Sequence, residues 1–144
     1  METTNALTVI NTIKSKLSAL DTKRMTIIQA STLMAVMRDR IHVNGLDSNN
    51  TPIGVYTPKY IKHSRIKAGR GADNKVILSL TRQMENGYMI VELANGTGIG
   101  CATHEDFQKV QWCEETYKKK IFAPTTEERT LVNQIAQDFI AKNL

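Results

Sequence analysis

The N-terminal third of the chain has apolar residues spaced by three and four positions, which is typical of amphipathic helices. The first stripe contains Leu7, Ile10, Ile13, Leu17 and Leu20, and the second contains Met25, Ile28, Leu33, Met37 and Ile41. Asp21 or Thr22 is suited to cap the second helix, and Asn44-Gly45 to end it. We expect the second stripe to face the core. The first is predicted to pack within the domain or against a neighbouring subunit, with a short coiled-coil seam as the alternative.

The pattern changes to strict alternation after residue 75. Val76, Leu78 and Leu80 alternate with Ile77 and Ser79, which predicts a half-buried strand over residues 76–80. Residues 81–87 are predicted to form a turn. Residues 88–93 predict a second strand and residues 97–101 a third, joined at a hairpin signal, Asn95-Gly96.

Two helices are predicted at the end of the chain. The first begins at Thr103 and has Phe107, Val110, Cys113 and Tyr117 on one face, with Lys118 to Lys120 at its negative C-terminal end. Thr125 and Glu128 have the spacing of a capping box for the second. The apolar face of that final helix contains Leu131, Val132, Ile135, Phe139 and Ile140.

The order of these elements predicts one domain of the α+β class. It would contain a small antiparallel sheet with N-terminal helices and a C-terminal helix, and a long basic loop between helix and strand. We divide the chain of 144 residues into a helical part (1–44), an extended basic loop (45–75) and a part with strands and C-terminal helices (76–144).

Positive charge is concentrated between residues 56 and 76, which we call the basic segment. Six cations less one acid, Asp73, give +5, which equals the net charge of the whole chain, so the remainder is neutral. The cations are Lys59, Lys62, Arg65, Lys67, Arg70 and Lys75. Gly69, Gly71 and the absence of apolar periodicity predict an exposed, mobile loop. Such a loop either is simply solvated or meets a negative partner, nucleic acid or an acidic protein surface.

The residue types of common catalytic and cofactor sites occur here without the required pattern. Gly96, Gly98 and Gly100 suggest a dinucleotide loop, but Cys101 takes the place of the third glycine and no parallel βαβ unit surrounds it. A zinc site needs four ligands, and Cys101, His104 and Cys113 are better explained by packing and a helix start. No nucleophile elbow is present. We therefore expect no enzymatic activity, no cofactor and no metal.

Cysteine content and hydropathy bear on the cellular compartment of the protein. Two cysteines are too few for a secreted disulfide framework, which favours a reducing compartment. The first residues lack the basic start and apolar block of a signal peptide, and no apolar run is long enough to cross a membrane.

A series of short motifs from residue 40 onward is similar to a known family. The motifs are Arg40-Ile41, Gly45, Asp47, Pro52-Ile53-Gly54, Tyr56 to Tyr60, Lys75 to Thr81, Gln83-Met84, Ile121-Phe122 and the Thr125–Glu128 box. Over residues 40–140 the chain resembles the virion-morphogenesis family of tailed bacteriophages, also called tail-completion or neck (head–tail joining) proteins. Family members often carry a glycine where this chain has Arg82.

The resemblance implies a structural, non-enzymatic subunit that forms a homo-oligomeric ring (six or twelve copies) in the neck of the virion. Such subunits are assembled in the host bacterial cytoplasm. They join the portal or adaptor to tail-tube proteins around the channel through which genomic DNA passes. In that setting the six cations would contact DNA or a partner protein. Normal particles after reversing the charge of Lys62, Arg65 and Lys67 would contradict this expectation.

The alternative is a small basic nucleic-acid-binding protein that acts as a monomer or dimer. Tyr56, Tyr60 and His63 lie among the lysines, which suits contact with bases and backbone. A helix-turn-helix version is disfavoured because Met, Ile, Leu and Val dominate residues 22–40. A nuclease would need clustered acidic ligands, whereas the acids at 105–106, 114–115 and 127–128 are adjacent pairs whose side chains diverge on a helix.

Overall fold

The computed structural model describes residues 2–79 and 81–144 and confirms the predicted α+β class. The elements are α1 (Glu2–Ser18), α2 (Thr22–His42), α3 (Pro58–Tyr60), a π-helical turn (Ile61–Arg65), α4 (Gln83–Asn86), β1 (Tyr88–Leu93), β2 (Gly96–Cys101), α5 (His104–Tyr117) and α6 (Thr126–Asn143). The two strands pair antiparallel. Within the described ranges, no helix is both long enough and apolar enough to cross a bilayer.

The buried core joins segments that are far apart in sequence. It consists of Ile41, Ile53, Tyr56, Val76 and Ile121. Four of these five side chains are at most 2 % exposed, and Tyr117, Leu78 and Phe122 pack around them. The core therefore fixes the end of α2 and the start of the basic segment against the chain that leads into α6.

A buried ion pair ties α2 to α6 beside this core. Arg40 Nε lies 2.7 Å from Glu128 Oε1, and both side chains are less than a tenth exposed. The same guanidinium donates to the backbone oxygens of Leu46 (3.1 Å), Ile121 (3.0 Å) and Ala123 (3.0 Å). One side chain therefore satisfies three backbone acceptors on two separate segments of the chain.

The capping signals read from the sequence are confirmed. Asp21 caps α2 by accepting from the Arg24 N–H at 3.0 Å, and Thr103 caps α5. In the predicted capping box, Glu128 N–H donates to Thr125 Oγ1 and Thr125 N–H donates to Glu128 Oε2.

The hairpin is also confirmed, with a turn one position earlier than the Asn-Gly signal suggests. Leu93 pairs with Gly96, which leaves Ala94 and Asn95 as the two turn residues. Gly98 and Gly100 lie within β2 rather than in a loop. A side chain at Gly98 would press on Leu93, so the glycine serves close packing across the hairpin.

The strand predicted over residues 76–80 is wrong over the four residues that the structure describes; Leu80 lies outside them. Only an isolated bridge, Val55 to Lys75, forms there. Beyond it the N–H groups of Ile77 (3.2 Å) and Leu78 (3.0 Å) donate to the Tyr56 hydroxyl instead of to a neighbouring strand. Leu78 also has φ +50°, which is incompatible with a strand.

Burial of the helix stripes departs from the prediction toward the N-terminus. In α2, Met37 and Ile41 are buried as expected, whereas Ile28 is 38 % exposed. Phe107 of α5 is likewise exposed. Every side chain from residue 5 to residue 19 is exposed, so packing of α1 within the domain is wrong.

Candidate functional site

The basic segment is a loop whose two ends are held together. Val55 and Lys75 form an antiparallel bridge. Next to it, Tyr56 N–H donates to the Asn74 oxygen at 2.7 Å, and Val76 N–H donates to the Gly54 oxygen at 3.2 Å. A compact surface loop with its ends in contact presents its residues from a fixed base.

The first half of the segment is helical, so the predicted extended conformation is wrong there. Thr57 caps α3 by accepting from the Tyr60 N–H at 3.2 Å, and Pro58 occupies the first turn, where its missing N–H costs nothing. The chain continues as a π-helical turn in which Ile66 N–H donates to the Ile61 oxygen at 2.9 Å. Single π turns are frequent at functional sites.

Arg65 lies inside the protein, which corrects its assignment to the contacting set. It is 2 % exposed, and Nη1 donates to the Ser79 oxygen at 2.9 Å. Its guanidinium carbon lies 4.6 Å from the centre of the Tyr56 ring, a cation–π geometry. Arg65 therefore anchors the basic segment to the core and is not available to a partner.

Tyr56 completes this anchor. Burial raises the pKa of its hydroxyl, which keeps the group neutral and able to accept the two backbone N–H groups described above. Its ring also lies 5.0 Å from that of Tyr60, centre to centre. Sequence reasoning placed Tyr56 among possible base contacts, whereas its hydroxyl and ring are used internally.

The other cations remain on the outside of the segment. Lys59, Lys62, Lys67 and Lys75 are exposed, and Arg70 is half-buried. No ion pair in the described part of the chain involves any of the four lysines. Because the lysine charges are uncompensated and their backbone is fixed, they form a permanent positive surface.

An aromatic cleft that the sequence analysis missed lies beside this surface. It encloses about 510 Å³ between the start of the basic segment and α5, and its walls include Val55, Tyr60, Trp112 and Tyr117. The Trp112 side chain is 57 % exposed. The sequence contains one signal for this cleft: Trp112 lies off the predicted apolar face of α5, which predicts an exposed tryptophan. Exposed tryptophans are unusual unless they contact a partner.

His42 and the two cysteines serve packing. His42 is buried, and its ring nitrogens contact the Ile77 oxygen (3.1 Å) and the Tyr88 hydroxyl (2.7 Å). Since the carbonyl can only accept, Nδ1 carries the proton and Nε2 accepts from Tyr88. Burial raises the pKa of the Cys101 thiol. Burial also raises the pKa of the Cys113 thiol, to about 11, so neither cysteine is an activated nucleophile. Among the described residues, no group of three acidic, histidine or cysteine side chains has the geometry of a metal site.

The chain matches no protein-family model, no curated protein and no solved structure. Any assignment of function therefore depends on the motifs and on the geometry described above.

Proposed function

We propose that this protein is a structural subunit of a bacteriophage head–tail connector, a neck or tail-completion ring that joins the capsid portal to the tail around the DNA channel. The observation that carries the proposal is the set of four exposed, unpaired lysines on a loop that Arg65 and Tyr56 fix to the core. A fixed loop of one sign has the form of a contact surface. Repeated around a ring, such loops add to one field.

The residues that carry the family resemblance support the proposal because they build the interior. Ile41, Ile53, Val76 and Ile121 are the largest fully buried side chains. The likeness therefore concerns the residues that specify the fold.

Arg82 is the position at which the chain departs from the family pattern. Its φ of +64° lies in the left-handed region, which glycine adopts at little cost and other residues rarely adopt. Family members often carry glycine at this position, and the left-handed backbone of this chain is a conformation that glycine would adopt without strain.

The aromatic cleft favours a protein as the immediate neighbour of the basic segment. Tryptophan and tyrosine are enriched at the centres of protein interfaces, where they fill pockets on the partner. The bases of double-stranded DNA are stacked internally and offer no free face to Trp112. We therefore assign the segment to an acidic surface of an adjoining virion protein, with the DNA channel as the second choice.

The test is charge reversal at exposed positions only. The set Lys59→Glu, Lys62→Glu and Lys67→Glu leaves the Arg65 anchor intact, and Lys118→Glu, Lys120→Glu and Lys142→Glu apply the same charge change elsewhere on the exposed surface. In phage particles that carry each variant, we expect the first set to abolish joining of filled heads to tails and the control set to leave it intact. Normal particles from the first set would contradict the proposal.

The alternative function is separated by mass and salt dependence. Light scattering that finds a monomer or dimer binding DNA, with affinity falling steeply with salt, would favour a nucleic-acid-binding module. In that case each lysine removed from the segment should lower the slope of log affinity against log salt by about one. A closed ring, or a ring formed on a portal protein, favours the connector.

A further inference from the structure

Within the described residues, the apolar face of helix α1 is not covered by the rest of the chain. Its apolar stripe is open to solvent, with Leu7 62 %, Ile10 48 %, Ile13 44 % and Leu17 43 % exposed. An isolated helix of this length is marginal in water, and most helices in proteins gain their stability by burying an apolar face. The stripe therefore has the form of a surface that is covered in an assembly.

A large apolar groove lies elsewhere on the same chain. It has a volume of about 460 Å³ between α2, β2, α5 and α6. Its lining includes Leu33, Met34, Ile99, Val110 and Val132. Protein interiors are close-packed, so an apolar space of this size in a domain is normally filled.

The polar groups on the groove wall bond to the chain itself. The hydroxyls of Thr26 and Thr97 lie 2.8 Å apart, and Gln29 Nε2 donates to the Val132 oxygen at 2.9 Å. Small-molecule pockets use a few free polar groups to orient the ligand. This wall suits apolar side chains better than a polar metabolite.

The described part of the chain's own α1 does not fill the groove, since none of residues 5–18 is among its lining. Only three residues separate α1 from α2, and the first of them, Ala19, still donates to the Ser15 oxygen at 3.1 Å. Lys16 Nζ also donates to the Leu144 oxygen, which holds the end of α1 beside the end of α6.

We infer that α1 of one copy docks through its Leu7–Leu17 stripe into the groove of a second copy. The inference rests on the ring assembly of the proposed function and names the contact that builds the ring. The docking helix and the groove that holds it are different surfaces, so the contact is heterologous. Each copy inserts its α1 into one neighbour and binds the α1 of another. Repetition of such a contact produces a closed ring when the rotation permits, and a filament otherwise.

The size of the contact predicts weak pairing and strong closure. A helix of 17 residues is about 25 Å long and about 10 Å wide, so burying one third of its side removes roughly 300 Å² on each partner. The total of roughly 600 Å² is below the ~1,200 Å² of a stable two-body interface. Assembly should therefore depend strongly on concentration, because an open chain leaves its two end subunits with one contact each and only ring closure adds the last contact.

Two single variants test the docking helix and the groove separately. Ile10→Asp places a charge in the stripe of α1, and Met34→Glu places one in the groove wall. Ser15→Asp, on the opposite face of α1, is the matched control. By light scattering, the wild type and Ser15→Asp should assemble with rising concentration. Each of the other two should raise the apparent dissociation constant more than about tenfold.

Mixing the two defective variants is the decisive measurement. The Met34→Glu chain keeps a functional α1 and the Ile10→Asp chain keeps a functional groove, so together they should form a one-to-one heterodimer that does not grow. If Met34→Glu alone assembles like the wild type, α1 pairs with something other than the groove and the inference is wrong. Leu33→Glu replaces Met34→Glu if circular dichroism shows that the latter is unfolded.

Other outcomes overturn the inference without touching the proposed function. A wild-type chain that stays monomeric at about 100 µM would refute self-docking. So would native mass spectrometry that finds a small apolar molecule in the groove and unchanged rings for Ile10→Asp. The function fails separately if charge reversal of the basic segment leaves particles normal while Ile10→Asp dissociates the ring.

Discussion

Replacement of Arg40 by methionine tests whether the buried guanidinium holds α2, the core and α6 together. The substitution keeps an apolar stem of similar length but removes all donors. Glu128 would then keep a buried charge without its counter-ion, which typically costs about 3–5 kcal/mol. The oxygens of Leu46, Ile121 and Ala123 would also lose a donor each, at up to about 1–3 kcal/mol apiece where water cannot enter.

A loss of about 5 kcal/mol is the expected sum, because some of these oxygens will be reached by water. Domains are typically stable by about 5–15 kcal/mol, so the Arg40→Met chain should lose about a third or more of its free energy of unfolding. Equilibrium unfolding in urea, followed by circular dichroism, gives the free energy from the midpoint and slope.

Two carboxylate variants calibrate this measurement. Glu127→Gln changes an exposed neighbour that accepts from Asn50 at 3.1 Å and should shift stability by no more than about 0.5 kcal/mol. Glu128→Gln keeps an acceptor for the Thr125 N–H but loses the charge, and an intermediate loss of about 1–3 kcal/mol is expected. If Arg40→Met unfolds at the same urea concentration as Glu127→Gln, the reasoning about the buried pair is refuted.

Three further predictions concern the anchor, a turn and a buried histidine. Arg65→Met should lower the free energy of unfolding by about 2 kcal/mol, because the Ser79 hydrogen bond and the Tyr56 contact are lost. The control Lys67→Met, at an exposed position, should change the urea midpoint little. Equal midpoints for the two variants would show that Arg65 is not an anchor. Gly45→Ala should lower the melting temperature markedly, because φ is +66° and a β-carbon would overlap the Val76 oxygen; an unchanged melting temperature would contradict that backbone conformation. Burial lowers the pKa of His42 in the folded protein below its ordinary value of 6.5. The contribution of the neutral, buried histidine to the free energy of unfolding is therefore complete above pH 6.5 and is lost as the pH falls from 6.5 toward the pKa of the folded state. Urea midpoints between about pH 7.5 and about pH 5.5 should therefore fall for the wild type and fall less for His42→Gln, with parallel slopes counting against the assignment.

Local signals in the sequence determined the four long helices, α1, α2, α5 and α6, and the hairpin. The caps at Asp21, Thr103 and Thr125 are set by side chains that bond to a backbone N–H three positions away, so neighbouring residues suffice to predict them. The hairpin at Asn95 and the left-handed turn at Gly45 follow from backbone preferences of single residues. The concentration of charge in the basic segment is likewise a property of the sequence alone.

Tertiary contacts decided what these elements do. Alternation over residues 76–79 predicts a strand, but the Tyr56 hydroxyl, some 20 positions earlier, takes the N–H groups that a strand would offer. The charge pattern of the basic segment does not separate Arg65 from Lys62 and Lys67. Arg65 is nevertheless buried, because its guanidinium contacts the Tyr56 ring and the Ser79 oxygen. Helix α1 has a stripe as regular as that of α2, yet it is exposed because the described part of the fold places no surface against it. Periodicity states which side of an element is apolar, whereas the position of its partner is fixed by long-range packing.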